Sequence, residues 1–203
     1  AGKLDLTSIG ATMISVSAHK FGGPRGMGAL LVRGGHQLLP VMRGGPQENR
    51  LRAGTENVPG ALGMAAAADA CLSSVSMGYR LGMRDRREQL LDGLRAVGGV
   101  HLNVTEPVLE ETISVRFDGI RADTLADDLD MHGIYVSTGS ACHAGEDSVS
   151  HVLQAMQLTQ DQARATVRIS MGPHVSPDDV DRVVAVTTRA VHRLRDMAGG
   201  MVR

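Results

Sequence analysis

The sequence predicts an α/β fold. Short apolar runs bounded by glycine and polar residues alternate along the chain with stretches of helical periodicity. The core must be aliphatic: 42% of the 203 residues are hydrophobic but only 2% are aromatic, with 11 Met and no Trp. A chain of this length buries a core as one or two domains. No internal repeat or low-complexity tract interrupts the alternation.

Taken in order, residues 13–16 and 28–32 are short and apolar and are expected as buried strands. Residues 33–57 are rich in Gly, Pro and Arg and are expected as an ordered loop whose polar surface binds something. Pro59 suits the first turn of a helix running through the Ala-rich stretch to about Cys71. A second helix is expected over 79–97, with Leu90, Leu91 and Leu94 on one face and Arg84, Arg86, Arg87 and Glu88 around it. Strands follow at 100–104 and 112–117, the latter with Ile113, Val115 and Phe117 alternating. Residues 122–132 read as a helix stopped by Gly133, 134–137 as a strand, 138–147 as a loop of small residues holding Cys142, and 148–156 as a helix. A strand at 166–170 precedes the last helix. That helix opens at Ser176-Pro177-Asp178-Asp179, with Ser176 as cap, Pro177 in the first turn and two acids at the positive helix end. The domain boundary is expected in the helices, giving units 1–75 and 76–203.

Composition excludes several function classes. The formal net charge is −1, and no basic run argues for nucleic-acid binding. The four aromatics, Phe21, Phe117, Tyr79 and Tyr135, are too few for base-stacking platforms. Two Cys cannot frame a chain of this size with disulfides, and a reducing cytoplasm is expected. The most apolar stretch, 61–72, is too short to span a bilayer, and no signal peptide is read at the start. Eight His are present, but no His-x-x-x-His and no paired Cys motif occurs, so no metal site is expected. Cys142 with His143 and His151 is the one cluster worth a metal assay.

Four constellations carry chemistry. In Ser17-Ala18-His19-Lys20, followed by Gly22-Gly23-Pro24-Arg25-Gly26-Met27-Gly28, a lysine stands directly after a strand. Such a Lys can form a Schiff base with an aldehyde cofactor. Ser17 and His19 offer hydrogen bonds to a phosphate, and the glycines let backbone approach a planar ligand. The plain alternative is a surface loop with one solvated Lys. A dinucleotide fingerprint and a P-loop both fail on spacing. The second constellation is Thr138-Gly139-Ser140-Ala141-Cys142-His143-Ala144-Gly145. Its thiol sits among polar and small residues rather than in a core, as a nucleophile requires. Cys71, in an Ala-rich helix, reads instead as a small core residue. The third is Arg168 in Thr166-Val167-Arg168-Ile169-Ser170, either a carboxylate clamp or a solvated strand residue. The fourth is Gly44-Gly45-Pro46-Gln47-Glu48-Asn49-Arg50-Leu51-Arg52-Ala53-Gly54-Thr55-Glu56-Asn57. There Thr55, ahead of a helix start, either binds a phosphate or caps the helix.

Occurring in this order over nearly the whole chain, these motifs resemble the cysteine desulfurases of the NifS type. These are class V aminotransferase-like, pyridoxal-phosphate-dependent enzymes. The Gly139-Ser140-Ala141-Cys142 loop resembles the long-loop group of that family. The resemblance implies a fold-type I transferase: 1–75 would end the large α/β/α cofactor domain, and 76–203 would be the small α/β domain with a mobile Cys loop. It implies pyridoxal 5'-phosphate as cofactor and Lys20 as its Schiff-base lysine, which also carries the proton at the substrate α-carbon. Ser17 and His19 would hold the cofactor phosphate, and Thr55 would reach the phosphate of the partner subunit in a homodimer. Cys142 would take sulfur from L-cysteine as a persulfide, leaving L-alanine, and could touch an iron–sulfur cluster in transit. Arg168 would bind the substrate carboxylate. A sulfur-acceptor or iron–sulfur scaffold protein would be the partner; cluster assembly, tRNA thiolation and cofactor biosynthesis are the pathways served by such sulfur.

Two departures accompany the resemblance. Pro46 interrupts the family's glycine run before Gln47. Family members are also about twice as long, and the amino-terminal half, with its phosphate turn, ring-stacking His and pyridine-pairing Asp, has no counterpart here. A carboxy-terminal half, inactive or nearly so alone, is therefore expected. The rival enzymes are a selenocysteine lyase, another C–S lyase or an aminotransferase; the rival non-enzyme is a dead remnant that dimerises or docks on a scaffold.

Overall fold

The computed structural model describes residues 8–74, 77–104, 108–138 and 150–200. The chain divides into two compact units, Gly2–Ser76 and Met77–Arg203 together with Ala1.

In the first unit, β1 (Met13–Ser17) and β2 (Gly28–Val32) form an antiparallel pair with Ser17 opposite Gly28 and Met13 opposite Val32. A 3-10 turn, Ala18–Phe21, follows β1 directly. Helix α1 (Val58–Ser74) contains the Ala-rich stretch. Its cap is Asn57, whose side-chain oxygen accepts from Gly60 N–H at 3.0 Å, and Pro59 falls in the first turn as expected. The expectation that β1 and β2 are buried is corrected. Met13, Leu30 and Leu31 are 43%, 53% and 41% exposed, and Ile14, Val16 and Val32 are half-buried. Two strands alone have two faces to cover, and α1, the long helix among the unit's described residues, packs chiefly on the turn.

The second unit is a three-stranded antiparallel sheet in the order β3-β4-β5: β3 (Val100–Leu102), β4 (Thr112–Phe117) and β5 (Thr166–Ser170). Ile113, Val115, Phe117, Val167 and Ile169 face a core closed by α2 (Met77–Arg95), α3 (Ala122–Asp130) and the long last helix. Short helices α4 (His151–Ala155) and α5 (Gln160–Arg164) precede β5. The last helix, α6 (Pro177–Gly200), crosses α2 so closely that a Cβ on Gly93 would stand 2.5 Å from Val184 Cγ2. Its capping is as predicted: Ser176 Oγ accepts from Asp179 N–H at 3.1 Å while Asp179 Oδ2 accepts from Ser176 N–H at 2.8 Å.

Two elements differ from expectation. Residues 134–137 form no strand; Ser137 alone makes an isolated antiparallel bridge, to Arg168. The end of α3 takes the Ile134 N–H for the Leu129 carbonyl at 3.0 Å, so the segment starts as a helix terminator. Helix α5 was not expected, although Thr159 and Gln162 form a complete capping box.

Candidate active site

The loop carrying Lys20 is closed on itself. Ala18, fully buried, donates its N–H to the Met27 carbonyl at 3.0 Å, and its carbonyl accepts Gly23 N–H at 2.9 Å. Gly22, at φ 88°, ends the 3-10 turn in the left-handed region. Two further glycines are demanded by space. A Cβ on Gly23 would lie 2.9 Å from Ala18 Cβ, and one on Gly28 would lie 2.6 Å from the Val16 carbonyl oxygen. Helix α1 backs the loop with small residues on one face. A Cβ on Gly60 would reach Met27 at 2.7 Å, one on Gly63 would reach Pro24 at 3.2 Å, and Cys71 Sγ lies 3.4 Å from the Phe21 carbonyl. Cys71 is thus half-buried against the loop, as a packing residue. The result is a hydrogen-bonded, closely packed turn with Ser17, His19 and Lys20 exposed. Among the described residues, no carboxylate pairs with Lys20.

Thr55 is exposed, two residues before the Asn57 cap, so the helix-cap alternative for Thr55 is replaced by Asn57. The loop that presents Thr55 is ordered, as expected. A parallel bridge joins Met42 to Arg52, and Ala53 N–H donates to the Met42 carbonyl at 3.2 Å. Inside it, Glu48, Asn49 and Arg50 take φ of 50°, 55° and 66°, three consecutive left-handed residues with no glycine among them. That conformation costs an L-residue about 1–2 kcal/mol, and the one Arg50 backbone N–H, shared between the Gln47 and Pro46 carbonyls at 2.9 and 3.2 Å, holds it closed.

In the second unit Arg168 is exposed on the polar face of the sheet, opposite Ser114 of β4. Its backbone exchanges hydrogen bonds with Ser137 at 2.7 and 3.0 Å, and its guanidinium reaches Ser137 Oγ at 3.4 Å. No carboxylate among the described residues pairs with it. Beside it the same face carries a hydrogen-bonded cluster. Asn103 Nδ2 donates to Ser114 Oγ at 3.0 Å and Thr166 Oγ1 at 3.1 Å, and Arg116 donates to Asn103 Oδ1 at 2.9 Å. Cys142 and His143 lie outside the described residues.

Sequence reasoning overlooked Ser137 and Asn57. Asn57 was detectable, since Asn before a Pro-containing first turn is a cap pattern. Ser137 carried no sequence signal, because its partner lies 31 residues away.

The sequence pattern of the family described as Aminotransferase class-V matches residues 1–183. The Methanosarcina thermophila protein named Cysteine desulfurase IscS is 37% identical over 199 residues, 96% of this chain and 48% of the relative. The Mycobacterium tuberculosis protein named IscS-like cysteine desulfurase is 40% identical over 198 residues, 96% of this chain and 50% of the relative. A solved structure titled NifS-like protein superposes with a TM-score of 0.82 at 34% identity, over 93% of this chain and 48% of that one. The chain therefore spans about half the length of the curated relatives it matches. With a family pattern covering most of its residues and a matching fold, the chain belongs to the class-V aminotransferases.

Proposed function

We propose that the chain carries the lysine and cysteine half of a cysteine desulfurase: L-cysteine to L-alanine, with sulfur passed to Cys142 as a persulfide. The observation that carries this reading is the Ser17, His19 and Lys20 donor set, exposed on a glycine-tight turn with no competing carboxylate among the described residues. A hydroxyl, an imidazole and an amine suit an anionic phosphate and an aldehyde, so these residues fit pyridoxal 5'-phosphate. The names of the two relatives support the choice of cysteine as substrate.

Bound pyridoxal phosphate would supply an electron sink for bonds at the substrate α-carbon. Ser17 and His19 would donate to its phosphate, and Lys20 would hold its carbonyl carbon and then carry the proton at the α-carbon. Thr55 would donate to the phosphate held by the partner subunit, making a homodimer part of the site. The Arg168 guanidinium, free of a carboxylate partner among the described residues, would take the substrate carboxylate. Cys142 thiolate would bond to the substrate sulfur as the carbon–sulfur bond breaks, its electron pair returning to carbon. We place the cofactor residues in 1–75 and the cysteine loop in 76–203, and assign the protein to the cytoplasm. The sulfur acceptor would be a protein thiol or an iron–sulfur scaffold.

The thiol's place in this scheme favours sulfur transfer over amino transfer, which needs no such group. The test is product analysis with the full-length protein, pyridoxal phosphate and L-cysteine. Alanine with enzyme-bound persulfide is expected; pyruvate, or no sulfur on the protein, overturns the reading. Cys142→Ser should keep the bound cofactor's visible absorbance while sulfur transfer stops. Loss of the absorbance in that variant contradicts the separate roles of Lys20 and Cys142.

A further inference from the structure

We propose that Gln47 is a positioning residue whose side-chain amide is the internal strut holding Thr55 in place for a phosphate, an inference that rests on the phosphate role given to Thr55 above. Gln47 is half-buried although both its neighbours, Pro46 and Glu48, are exposed. Its Oε1 accepts the N–H of Gly54 at 3.2 Å, the residue directly before Thr55. The rest of the amide lies flat on Gly45: a Cβ there would overlap Oε1 and stand 3.0 Å from both Cδ and Nε2. The side chain thus fills the interior of the loop and touches its two limbs.

The backbone is bent to bring this about. The left-handed turn at Glu48, Asn49 and Arg50 reverses the chain immediately after Gln47, so that a residue seven positions on meets its amide. Three such residues persist only where the surroundings over-determine them. The Met42–Arg52 bridge closes the loop at its base, and the Gln47–Gly54 bond closes it next to Thr55. Gly54, at φ 103°, has no side chain to set its own conformation. Without the strut, the direction of the Thr55 hydroxyl is left to a glycine.

The experiment titrates the full-length protein with pyridoxal phosphate and, separately, with pyridoxal, which lacks the phosphate. Thr55→Ala and Gln47→Ala should each weaken pyridoxal phosphate by about tenfold, the worth of one charge-assisted hydrogen bond, and leave pyridoxal unchanged. The double variant should bind no worse than Thr55→Ala. Gly45→Ala should displace the amide and reproduce the Gln47→Ala result, and adding Gly45→Ala to Gln47→Ala should cost nothing more. If Thr55→Ala weakens pyridoxal phosphate and Gln47→Ala does not, the strut is refuted while the phosphate role stands. If Thr55→Ala has no effect, the phosphate role falls and the strut with it. Equal loss of both ligands in Gln47→Ala marks a collapsed loop and also overturns the proposal. Should Gln47→Ala fail to fold, Gly45→Ala delivers the same readout.

Discussion

A single methyl group decides whether the Lys20 turn can form. The Gly28 Cα faces the Val16 carbonyl across the hairpin, and a Cβ would stand 2.6 Å from that oxygen. The obstacle is backbone, so no rotamer change relieves it, and β1 and β2 must separate at their Ser17 end. Gly28→Ala should therefore destabilise the hairpin by about 1–3 kcal/mol and release bound pyridoxal phosphate. Gly10→Ala, where nothing lies within 4 Å, is the control. The readout is exchange of the Ala18 amide, which donates to Met27 across the same turn. Equal exchange in the two variants contradicts the steric account. The motif around Lys20 was legible because its glycines are sequence-visible. The left-handed turn at 48–50 was not, because Asn49 alone is of a type that favours positive φ while Glu48 and Arg50 on either side carry no such signal.

At the scale of an element, α6 shows a terminus written locally. Asp179 accepts first from the Ser176 N–H and then from its hydroxyl, and both hold its carboxyl below the ordinary 3.8. A carboxylate depressed in the folded state contributes stability that is present above its unfolded value and lost as pH falls through the folded one. Ser176→Ala should cost about 1 kcal/mol at neutral pH, as loss of a cap does. It should also flatten the fall in stability between about pH 5 and pH 2, because one of the bonds that depresses Asp179 is gone. Denaturant unfolding across that range checks both; an unchanged acid slope refutes the coupling. Helix α5 had the same kind of signal in Thr159 and Gln162. The failed strand at 134–137 had none, since a strand is completed by a neighbour remote in sequence while a helix end is completed within four residues.

Across the whole chain, apolar burial is divided unequally. Between residues 8 and 74, Ala18 and Gly60 are the buried residues among those described, and Leu39, Val41 and Leu62 are 86%, 97% and 66% exposed. The second unit has Phe117, Leu90, Leu94, Leu125 and Val191 at 2% exposure or less around one sheet. Stability follows apolar area removed from water, and opening free energies follow local burial. The 203-residue chain should therefore exchange its amides in two classes. Those of β4, β5, α2 and α6 should be protected to the level of global unfolding, and those of β1, β2 and α1 should exchange faster by at least about a hundredfold. The alternation of strands and helices was legible in the sequence, but this imbalance was not, because an apolar strand reads the same whether or not its faces are covered. If the proposed homodimer covers the surfaces left open on the first unit, the slow class should extend to β1 and β2 in the full-length protein while β4 and β5 stay unchanged. Equal protection of the two units in the 203-residue chain would show that the Lys20 turn needs no further cover, and that chain should then bind pyridoxal phosphate unaided.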